Sequence, residues 1–576
     1  MDTVALDIEV YSNYFLLMIK GGKRCEYFEH PLDKVRVLKI LTSVRVVTFN
    51  GNSYDMPLLN YALEGASTKE IKIASDEIIL NDRRPWQLDL KPVKDVDHID
   101  LIEVAPGLTG LKTYAGRMGV KRMQDLPIEP SASITPEQRP LLRSYCENDL
   151  DNTLELFKRL RPQIELRERL SEQYGQDLRS KSDAQIAEAV IKAEVSREHP
   201  VGKPRVTIGR VFKYEVPDFI SFRSSTINFV RECNFVIAEN GAPKCPELDN
   251  HRVAIGESVY RMGVGGLHST EKRATHIIEP DEFLVERDVA SYYPSIILQC
   301  GLYPESMGEP FTDVYRTIYE RRLAAKAAGD KVTADTLKIS LNGTFGKLGS
   351  RYSSLYSPHL LIQVTLTGQL ALLMLIDMIE NVGVRVVSAN TDGIVIRGKK
   401  TQYAAVQAAV DVWERQTGFV TEETAYRALH SRDVNSYVAV KPDGKVKIKG
   451  AYATTTLSKS PANEICSIAA VKWLADGTPI TRTIYACEDV TLFATVRAVR
   501  GGGTYKGREL GKVVRWYRGV AGDFIRYKSN GNKVPKSDNA VPIMDLPDEF
   551  PRDIDYLWYI DETARILVDL GLSTIY

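Results

Sequence analysis

Short apolar runs alternate with polar turns along this chain, and several of the runs end at a carboxylate or at an Asn-Gly pair. Runs of this length, rich in Val and Ile, predict β-strands. Helix-prone segments follow Pro140 and cover residues 314–328, where Gly329 is a typical stop signal. This mixture indicates an α/β and α+β protein with several domains. The predicted strands that matter most cover residues 4–10, 44–49, 284–289, 385–390 and 393–396.

The first predicted strand places Asp7 and Glu9 two positions apart, so both side chains point to one face. The second strand runs into an Asn-Gly turn, and a short helix after it carries Asp55. A capping box at residues 135–138 starts a longer helix, on which Tyr145 and Asp149 share a face. For Asp7 and Glu9 taken alone, the alternative is that they form an exposed acidic face of a strand. Together, four carboxylates and a tyrosine fit a two-metal site that hydrolyses phosphodiesters.

A second candidate site follows in the chain. The run at 284–288 ends at Asp288, and Asn-Thr-Asp-Gly at 390–393 is a hairpin signal with Asp392 at the tip. If this hairpin lies beside the first strand, two carboxylates meet at one cleft. Such a pair suits two-metal phosphoryl transfer. A solvated helical hairpin is the alternative for the cationic residues nearby, which could instead clamp a triphosphate: Arg322, Lys326 and Lys338.

Composition limits the class of protein. The 576 residues contain 75 Lys+Arg and 75 Asp+Glu, so net charge gives no indication of a polyanionic partner. Seven scattered cysteines argue for a reducing compartment and against a zinc site. We expect no secretory signal, and no apolar run that approaches the ~20 residues of a membrane span. The expected location is the cytoplasm, which is the host's cytoplasm if the source is a virus.

Other segments predict nucleic-acid contacts. Gly265 and Gly266 lie in a glycine-rich segment whose backbone could approach a phosphate chain, with a plain β-turn as the alternative. Residues 166–198 predict a helical connector, and glycines 501–503 predict a flexible break. Residues 506–536 interleave basic and aromatic side chains, which suits a grip on a duplex backbone. Residues 553–572 predict a closing helix.

The N-terminal pattern resembles the DEDDy 3′–5′ exonucleases. The resemblance implies that Asp7, Glu9, Asp55 and Asp149 hold metals and that Tyr145 orients the attacking water. Asn50 and Phe49 resemble the family's residues that hold the primer end. Lys112 or Lys121 could supply a positive charge for the scissile phosphate, and the sequence leaves this choice open.

The later motifs resemble those of family B DNA polymerases: Asp-Val-Ala-Ser-Tyr-Tyr-Pro-Ser like motif A, residues 338–346 like motif B, and residues 390–393 like motif C. The resemblance implies Asp288, Asp392 and the carbonyl of Val289 as metal ligands. It implies that Tyr293 excludes a 2′-hydroxyl. The remaining implied contacts are Arg322, Lys326 and Lys338 on the triphosphate, Asn342 and Phe345 at the nascent base pair, and Gly265, Gly266, Tyr437 and Lys449 on DNA.

Three features depart from that family. Asn390 stands where motif C usually has a first Asp. The Lys-x-Tyr element that grips the primer end reads Asn435-Ser436-Tyr437, and Lys447 or Lys449 is the candidate replacement. The intervals between motifs are too short for the insertions of protein-primed phage polymerases. We therefore expect a compact enzyme that extends a nucleic-acid primer, with processivity supplied by a partner or left low. Within the family, the resemblance is to the compact bacteriophage type.

The sequence thus predicts an RNase H-like exonuclease domain followed by a right-hand polymerase. The expected function is DNA-directed DNA polymerisation with proofreading, in viral DNA replication, and the alternative is an exonuclease whose impaired polymerase half only binds DNA. Two Mg²⁺ per site are expected, with Mn²⁺ able to substitute. The expected partners are primer-template DNA, dNTPs and a processivity or primase protein, for a monomer without membrane contact. The predicted domains are 1–165 (exonuclease), 166–275 (connector and start of the polymerase), 276–305 with 347–454 (palm), 306–346 (fingers) and 455–576 (thumb and closing helix).

Overall fold

The computed structural model describes residues 2–221, 225–249 and 251–572, apart from the side chain of Val332. Its strands are β1 Thr3–Tyr11, β2 Tyr14–Gly21, β3 Arg24–Glu29, β4 Arg45–Thr48, β5 Asp97–Asp100, β6 Val211–Phe212, β7 Phe235–Ile237, β8 Pro243–Lys244, β9 Arg252–Ile255, β10 Ser258–Arg261, β11 His268–Ser269, β12 Lys272–Ile277, β13 Glu282–Val289, β14 Arg385–Asn390, β15 Gly393–Lys399, β16 Thr421–Tyr426, β17 Ala428–Asp433, β18 Ser436–Val440, β19 Val446–Lys449, β20 Thr495–Tyr505, β21 Arg508–Asp523, β22 Arg526–Tyr527 and β23 Ala540–Pro542.

The α-helices are α1 Lys34–Leu41, α2 Asp55–Leu63, α3 Thr68–Ile79, α4 Leu111–Met118, α5 Arg139–Arg159, α6 Arg161–Tyr174, α7 Asp183–Val195, α8 Ser225–Glu232, α9 Tyr292–Gln299, α10 Pro310–Ala327, α11 Lys331–Lys347, α12 Pro358–Asn381, α13 Tyr403–Thr417, α14 Glu464–Asp476, α15 Ile480–Tyr485, α16 Val490–Phe493 and α17 Tyr556–Asp569. Short 3₁₀ turns cover Pro85–Leu88, Pro136–Gln138, Lys400–Gln402 and Gly450–Tyr452.

The chain forms two compact units, each built from three segments. Unit 1 contains Met1–Ser182, Thr454–Ile465 and Ile484–Tyr559. Unit 2 contains Asp183–Ala453, Cys466–Thr483 and Ile560–Tyr576. The segment predicted as a thumb, 455–576, is therefore divided between the two units, and most of it lies in unit 1.

Unit 1 contains a mixed sheet in the order β3-β2-β1-β4-β5. Strand β1 is antiparallel to β2 and parallel to β4, so it lies at the centre of the sheet. Its side chains alternate between the two faces of the sheet and pack into two apolar cores. Leu6 and Ile8 belong to one core, and Ala5 and Tyr11 belong to the other. Helix α5 packs against β1 and β2. The strand and helix predicted around Asp7 and Asp149 are thus confirmed, and they are neighbours in space.

A second sheet of unit 1 has the order β22-β20-β21-β23. Glycines 501–503 were predicted as a flexible break, and that prediction is wrong, because they lie within β20. The ladder to β21 shifts register between Ala498 and Gly503, and Gly501 and Gly502 adopt positive φ there. The glycines therefore allow a bulge in a long strand.

Unit 2 contains an antiparallel sheet in the order β16-β13-β15-β14-β11-β10-β9, and a separate four-stranded sheet in the order β12-β17-β18-β19. The predicted hairpin is confirmed as β14 and β15, and β13 pairs with β15. The helix predicted over 314–328 is confirmed as α10, and α11 follows it. The closing helix predicted over 553–572 is confirmed as α17, whose residues are divided between the two units.

Helix α12 runs through the core of unit 2. Among the helices of the described residues it alone is long and apolar enough to cross a membrane, with a mean hydropathy of 1.8 over its window. The expectation that no apolar run approaches that length is therefore wrong. The same window is 89% buried inside the protein, which is typical of a core helix that is apolar on all sides.

Candidate active sites

Unit 1 gathers carboxylates from three elements. Strand β1 presents Asp7 and Glu9 on one face, and Glu9 is only 9% exposed. Asp55 is the first residue of α2 and is buried, because the turn before it folds the chain back from β4. Helix α5 supplies Tyr145 and Asp149, both buried. The three pieces that were separate in the sequence share one site.

The electrostatics show how close these groups are. Burial, together with the charge of Asp149, raises the pKa of Asp7 to about 7. Burial and the charges of Asp7 and Asp149 also hold the pKa of Glu9 well above its usual range. The pKa of Asp55 is raised by burial and by Asp7. A cluster that repels itself in this way is stabilised by a cation between its members.

The donor set fits a divalent metal. Asp55 Oδ1 and Asp149 Oδ1 are buried oxygens without a hydrogen-bond partner. Ligand atoms of Asp7, Glu9 and Cys146 lie within 4.8 Å of one another. Carboxylate oxygens are the ligands that Mg²⁺ prefers, and unpaired buried oxygens are costly unless something binds them. The residues that would hold such ions are Asp7, Glu9, Asp55 and Asp149.

The structure distinguishes the two lysines that the sequence left open. Lys112 Nζ lies 4.9 Å from the ring centroid of Tyr145 and 2.6 Å from Asp125 Oδ1. Its charge opposes the pKa increase that burial imposes on Asp149. Lys121 instead pairs with Asp548 over 3.1 Å, and both side chains are largely exposed. Lys112 is thus the lysine beside the carboxylates.

Two residues of this site were missed by the sequence reasoning. Asp100, at the end of β5, accepts hydrogen bonds from the backbone N–H groups of Asn50 (2.7 Å) and Asn52 (2.9 Å). It thereby holds the turn that leads to Asp55. The thiol of Cys146 donates to Asp7 Oδ2 over 3.5 Å. The available signal for Asp100 was a carboxylate enclosed by the apolar residues Ile99, Leu101 and Ile102.

The residues predicted to hold a primer end lie on the same turn. Asn50 has a φ of +70°, and its N–H donates a hydrogen bond to Asp100 Oδ1. Phe49 is half-buried and makes an edge contact with Tyr114, with ring centroids 5.8 Å apart. Phe49 therefore packs partly against the core of the unit.

In unit 2 the second pair of carboxylates meets on adjacent strands. Asp288 on β13 is the register partner of Gly393, the residue after Asp392. The N–H of Val289 donates to the carbonyl oxygen of Asp392 over 2.7 Å. Burial raises the pKa of Asp288, and the charges of Glu286 and Asp392 add to this effect. Both side chains remain accessible to solvent, as groups that bind a substrate must be.

Cations surround this pair. Lys447 Nζ lies 2.7 Å from Glu286 Oε2 and 3.4 Å from Asp288 Oδ2. Glu286 is buried and also accepts a hydrogen bond from the hydroxyl of Tyr426. Burial raises the pKa of Asp392, and the charges of Lys449 and Lys447 oppose this increase. Both candidate replacements for the missing lysine therefore act on the carboxylates.

Lys449 has a second neighbour: its Nζ lies 6.0 Å from the ring centroid of Tyr437, its register partner on the adjacent strand. The predicted DNA contacts Tyr437 and Lys449 are thus side by side on β18 and β19.

The predicted triphosphate clamp is only partly assembled. Arg322 donates to Ser291 Oγ over 2.5 Å, in the turn after Asp288. Lys326 pairs with Glu422 over 2.8 Å, and Glu422 is the register partner of Asp288. Lys338 is exposed on α11, as is Asn342. Arg322 therefore reaches the turn after Asp288, and Lys326 reaches the strand beside it.

The predicted sugar and base contacts lie together. The rings of Tyr293 and Phe345 are stacked with centroids 4.1 Å apart. Tyr293 belongs to the first turn of α9, directly after the strand that carries Asp288.

The glycine-rich segment lies against the hairpin tip. A Cβ on Gly266 would meet Thr391 Oγ1 at 2.5 Å, so a side chain there would displace the turn. Gln369, buried on α12, donates to the carbonyl oxygens of Gly263 (2.8 Å) and Gly265 (2.6 Å). This contact fixes the glycine backbone next to the site.

No family model and no curated protein matches the chain. Among solved structures, the chain is similar to the family B DNA polymerase from the hyperthermophilic archaeon Pyrobaculum calidifontis. The sequence identity is 15%, the match covers 100% of this chain and 78% of that chain, and the TM-score is 0.43.

Proposed function

We propose that the protein is a template-directed DNA polymerase with a separate proofreading 3′–5′ exonuclease site. The observation that carries the polymerase proposal is the pairing of β13 with β15, which places Asp288 next to the hairpin tip with Asp392. Two accessible carboxylates among cations suit transfer of a nucleotidyl group. The sequence motifs at the same residues support the same reaction.

In the polymerase site, Asp288, Asp392 and the carbonyl of Val289 would hold Mg²⁺, for which Mn²⁺ could substitute. Bound there, the ions supply a more acidic 3′-hydroxyl and neutralise the triphosphate. Arg322, Lys326 and Lys338 bind the triphosphate of the incoming nucleotide. To do so, Lys326 leaves Glu422, its present partner. An exposed pair of this kind is worth about 0–1 kcal/mol, so the exchange costs little.

The remaining residues of unit 2 position substrates. The stacked rings of Tyr293 and Phe345 form the floor below the sugar, where a 2′-hydroxyl would collide with Tyr293. Asn342 faces the nascent base pair. Tyr437, Lys449, Gly265 and Gly266 contact the primer and template backbone.

In unit 1, Asp7, Glu9, Asp55 and Asp149 would hold the divalent metals of the exonuclease. Tyr145 orients the attacking water, because its hydroxyl faces the same carboxylates that raise its pKa. Lys112 supplies the positive charge near the scissile phosphate, and Asn50 and Phe49 hold the primer end.

We further propose a compact phage enzyme that works in the host cytoplasm as a monomer on primer-template DNA and dNTPs. A processivity or primase partner would then come from elsewhere. An exonuclease with an impaired polymerase half is the second candidate, and Asn390 in the hairpin is the observation that favours it.

The test is primer extension and primer degradation measured on one primed template with Mg²⁺. Asp288→Ala should abolish extension and leave degradation, whereas Asp7→Ala should do the reverse. Asp281→Ala and Asp2→Ala are matched controls, because both carboxylates are exposed and lie near the same strands. No dNTP incorporation by the unaltered protein would favour the second candidate. Survival of both activities in both site variants would refute the assignments.

A further inference from the structure

The side chain of Asn390 connects two sheets of unit 2. Asn390 is the last residue of β14, directly before the turn that carries Asp392. Its Nδ2 donates to the carbonyl oxygen of Val434 over 3.0 Å and to Asn435 Oδ1 over 3.3 Å. Its Oδ1 accepts from the hydroxyl of Thr391 over 3.1 Å. Both the nitrogen and the oxygen of the Asn390 side-chain amide therefore form hydrogen bonds.

The partners of this amide belong to a turn between two strands of the neighbouring sheet. Val434 and Asn435 join β17 to β18, the strand that carries Tyr437. The N–H of Asn435 donates to Asp433 Oδ1 over 2.9 Å, which fixes the turn from its other side. Strands β14 and β18 lie in different sheets. The Asn390 amide thus ties the hairpin with Asp392 to the strand pair with Tyr437.

From these contacts we infer that Asn390 is a positioning residue and not a lost metal ligand: its amide nitrogen holds the Asp392 hairpin against the 434–435 turn. This inference rests on the proposed polymerase function. The carbonyl of Val434 can only accept a hydrogen bond, so its partner at residue 390 must be a donor. An ionised Asp has no donor, and it would place a negative charge against that carbonyl and beside Asp392.

The substitution Asn390→Asp distinguishes a positioning residue from a replaced metal ligand, because the two hypotheses predict opposite changes in kcat. If Asn390 replaced a ligand, restoring the carboxylate would raise kcat. If Asn390 is a positioning residue, kcat per active site falls about tenfold, because a part-buried acceptor loses its donor. The KM for dNTP stays within about twofold, because the triphosphate contacts lie on other elements. The decrease in kcat should be smaller in Asn390→Ala than in Asn390→Asp, since alanine adds no charge.

Asn240→Asp is the matched control. Asn240 lies in the same unit and uses its oxygen, which accepts from the N–H of Ala242 over 3.1 Å. An Asp can accept in the same way, so this variant should keep the parental kcat. Active-site titration corrects each rate for the folded fraction.

Hydrogen exchange supplies a readout that does not need activity. In Asn390→Asp, amides in segments 386–395 and 432–440 should exchange faster together, and in Asn240→Asp they should not. Unchanged exchange in both segments, or a kcat equal to or above the parental value, overturns the inference. An equal loss in Asn240→Asp overturns it too. If the parental protein incorporates no dNTP, the proposed function is wrong. Hydrogen exchange in Asn390→Asp and Asn240→Asp then still decides whether the Asn390 amide holds the hairpin against the 434–435 turn.

Discussion

Lys447 forms an ion pair with Asp288 across two sheets of unit 2, with Nζ 3.4 Å from Oδ2, and the same ammonium is 2.7 Å from Glu286. Burial alone would lower the pKa of Lys447, but the hydrogen bond to Glu286 and the nearby negative charges raise it, so the lysine stays charged. The ammonium of Lys447 therefore balances the negative charge of buried Glu286 and also contacts Asp288, a proposed metal ligand.

Lys447→Met should reduce DNA polymerisation by at least tenfold and leave primer degradation unchanged. The change leaves Glu286, only 6% exposed, without its cation, and the loss of one partner of a buried pair costs about 3–5 kcal/mol. For Lys447→Met, the loss in the free energy of unfolding should be smaller, about 1–3 kcal/mol. The reason is that the lysine is partly exposed and that Tyr426 still donates a hydrogen bond to Glu286. Extension rates and thermal unfolding measure the two effects.

Lys445→Met is the control for that variant. Lys445 is 79% exposed and pairs with Asp443, so its loss should change neither rate nor unfolding temperature. Equal effects of the two variants would refute a specific role for Lys447.

Lys112→Met should slow primer degradation about tenfold or more and spare polymerisation. The reason is that Lys112 is the cation whose charge acts on Glu9 and Asp149 and whose Nζ lies over the Tyr145 ring. Lys121→Met should behave like the parental protein, since its exposed pair with Asp548 is worth about 0–1 kcal/mol. Single-turnover degradation of a labelled primer distinguishes the two lysines, and a loss confined to Lys121→Met would reverse the assignment.

Gly393→Ala should disable polymerisation without unfolding unit 2. A Cβ at this residue would lie 2.2 Å from Asp288 Oδ1, so the carboxylate would have to rotate away from its position. Displacement of a reacting group by about 1 Å commonly costs about a hundredfold in rate. Gly202→Ala is the control, because its nearest neighbour would be at 3.6 Å. Circular dichroism checks folding, and parental extension by Gly393→Ala would contradict the expected displacement.

Local sequence patterns predicted the parts of each site that depend on a few neighbouring residues. Alternation along β1 placed Asp7 and Glu9 on one face, and the turn residues at 390–393 predicted the hairpin with Asp392 at its tip. The capping box at 135–138 is present as a 3₁₀ turn, and α5 begins directly after it. These features follow from backbone preferences and side-chain period, which a single sequence contains.

The missed features depend on contacts between distant parts of the chain. Lys447 and Asp288 are 159 positions apart, and no local pattern pairs them. Glycines 501–503 have low strand propensity, but pairing with β21 overrides it. The apolar run of α12 is present in the sequence, but its burial within the protein, 89% of the window, depends on the elements packed around it.

Asp100 holds the turn before Asp55 in the proposed exonuclease site, although it is not one of the proposed metal ligands. Its carboxylate accepts from the N–H groups of Asn50, Asn52 and Ile102, over 2.7, 2.9 and 3.1 Å. Asp100→Asn removes the charge and one acceptor, and hydrogen bonds to a charged group are worth about 1.5–3 kcal/mol each. Primer degradation should therefore fall about tenfold, and hydrogen exchange in residues 49–55 should accelerate.

The control for this variant is Asp89→Asn, since Asp89 is exposed and has a φ of +55° that Asn adopts readily. It should leave both readouts unchanged. Binding of Mn²⁺ to the protein without DNA, followed by its magnetic resonance signal, separates two roles for Asp100. If Asp100 only holds the turn, the number of bound ions is unchanged in Asp100→Asn and their affinity falls modestly. Loss of one bound ion would instead show that Asp100 is itself a ligand, and the turn-holding role would be wrong.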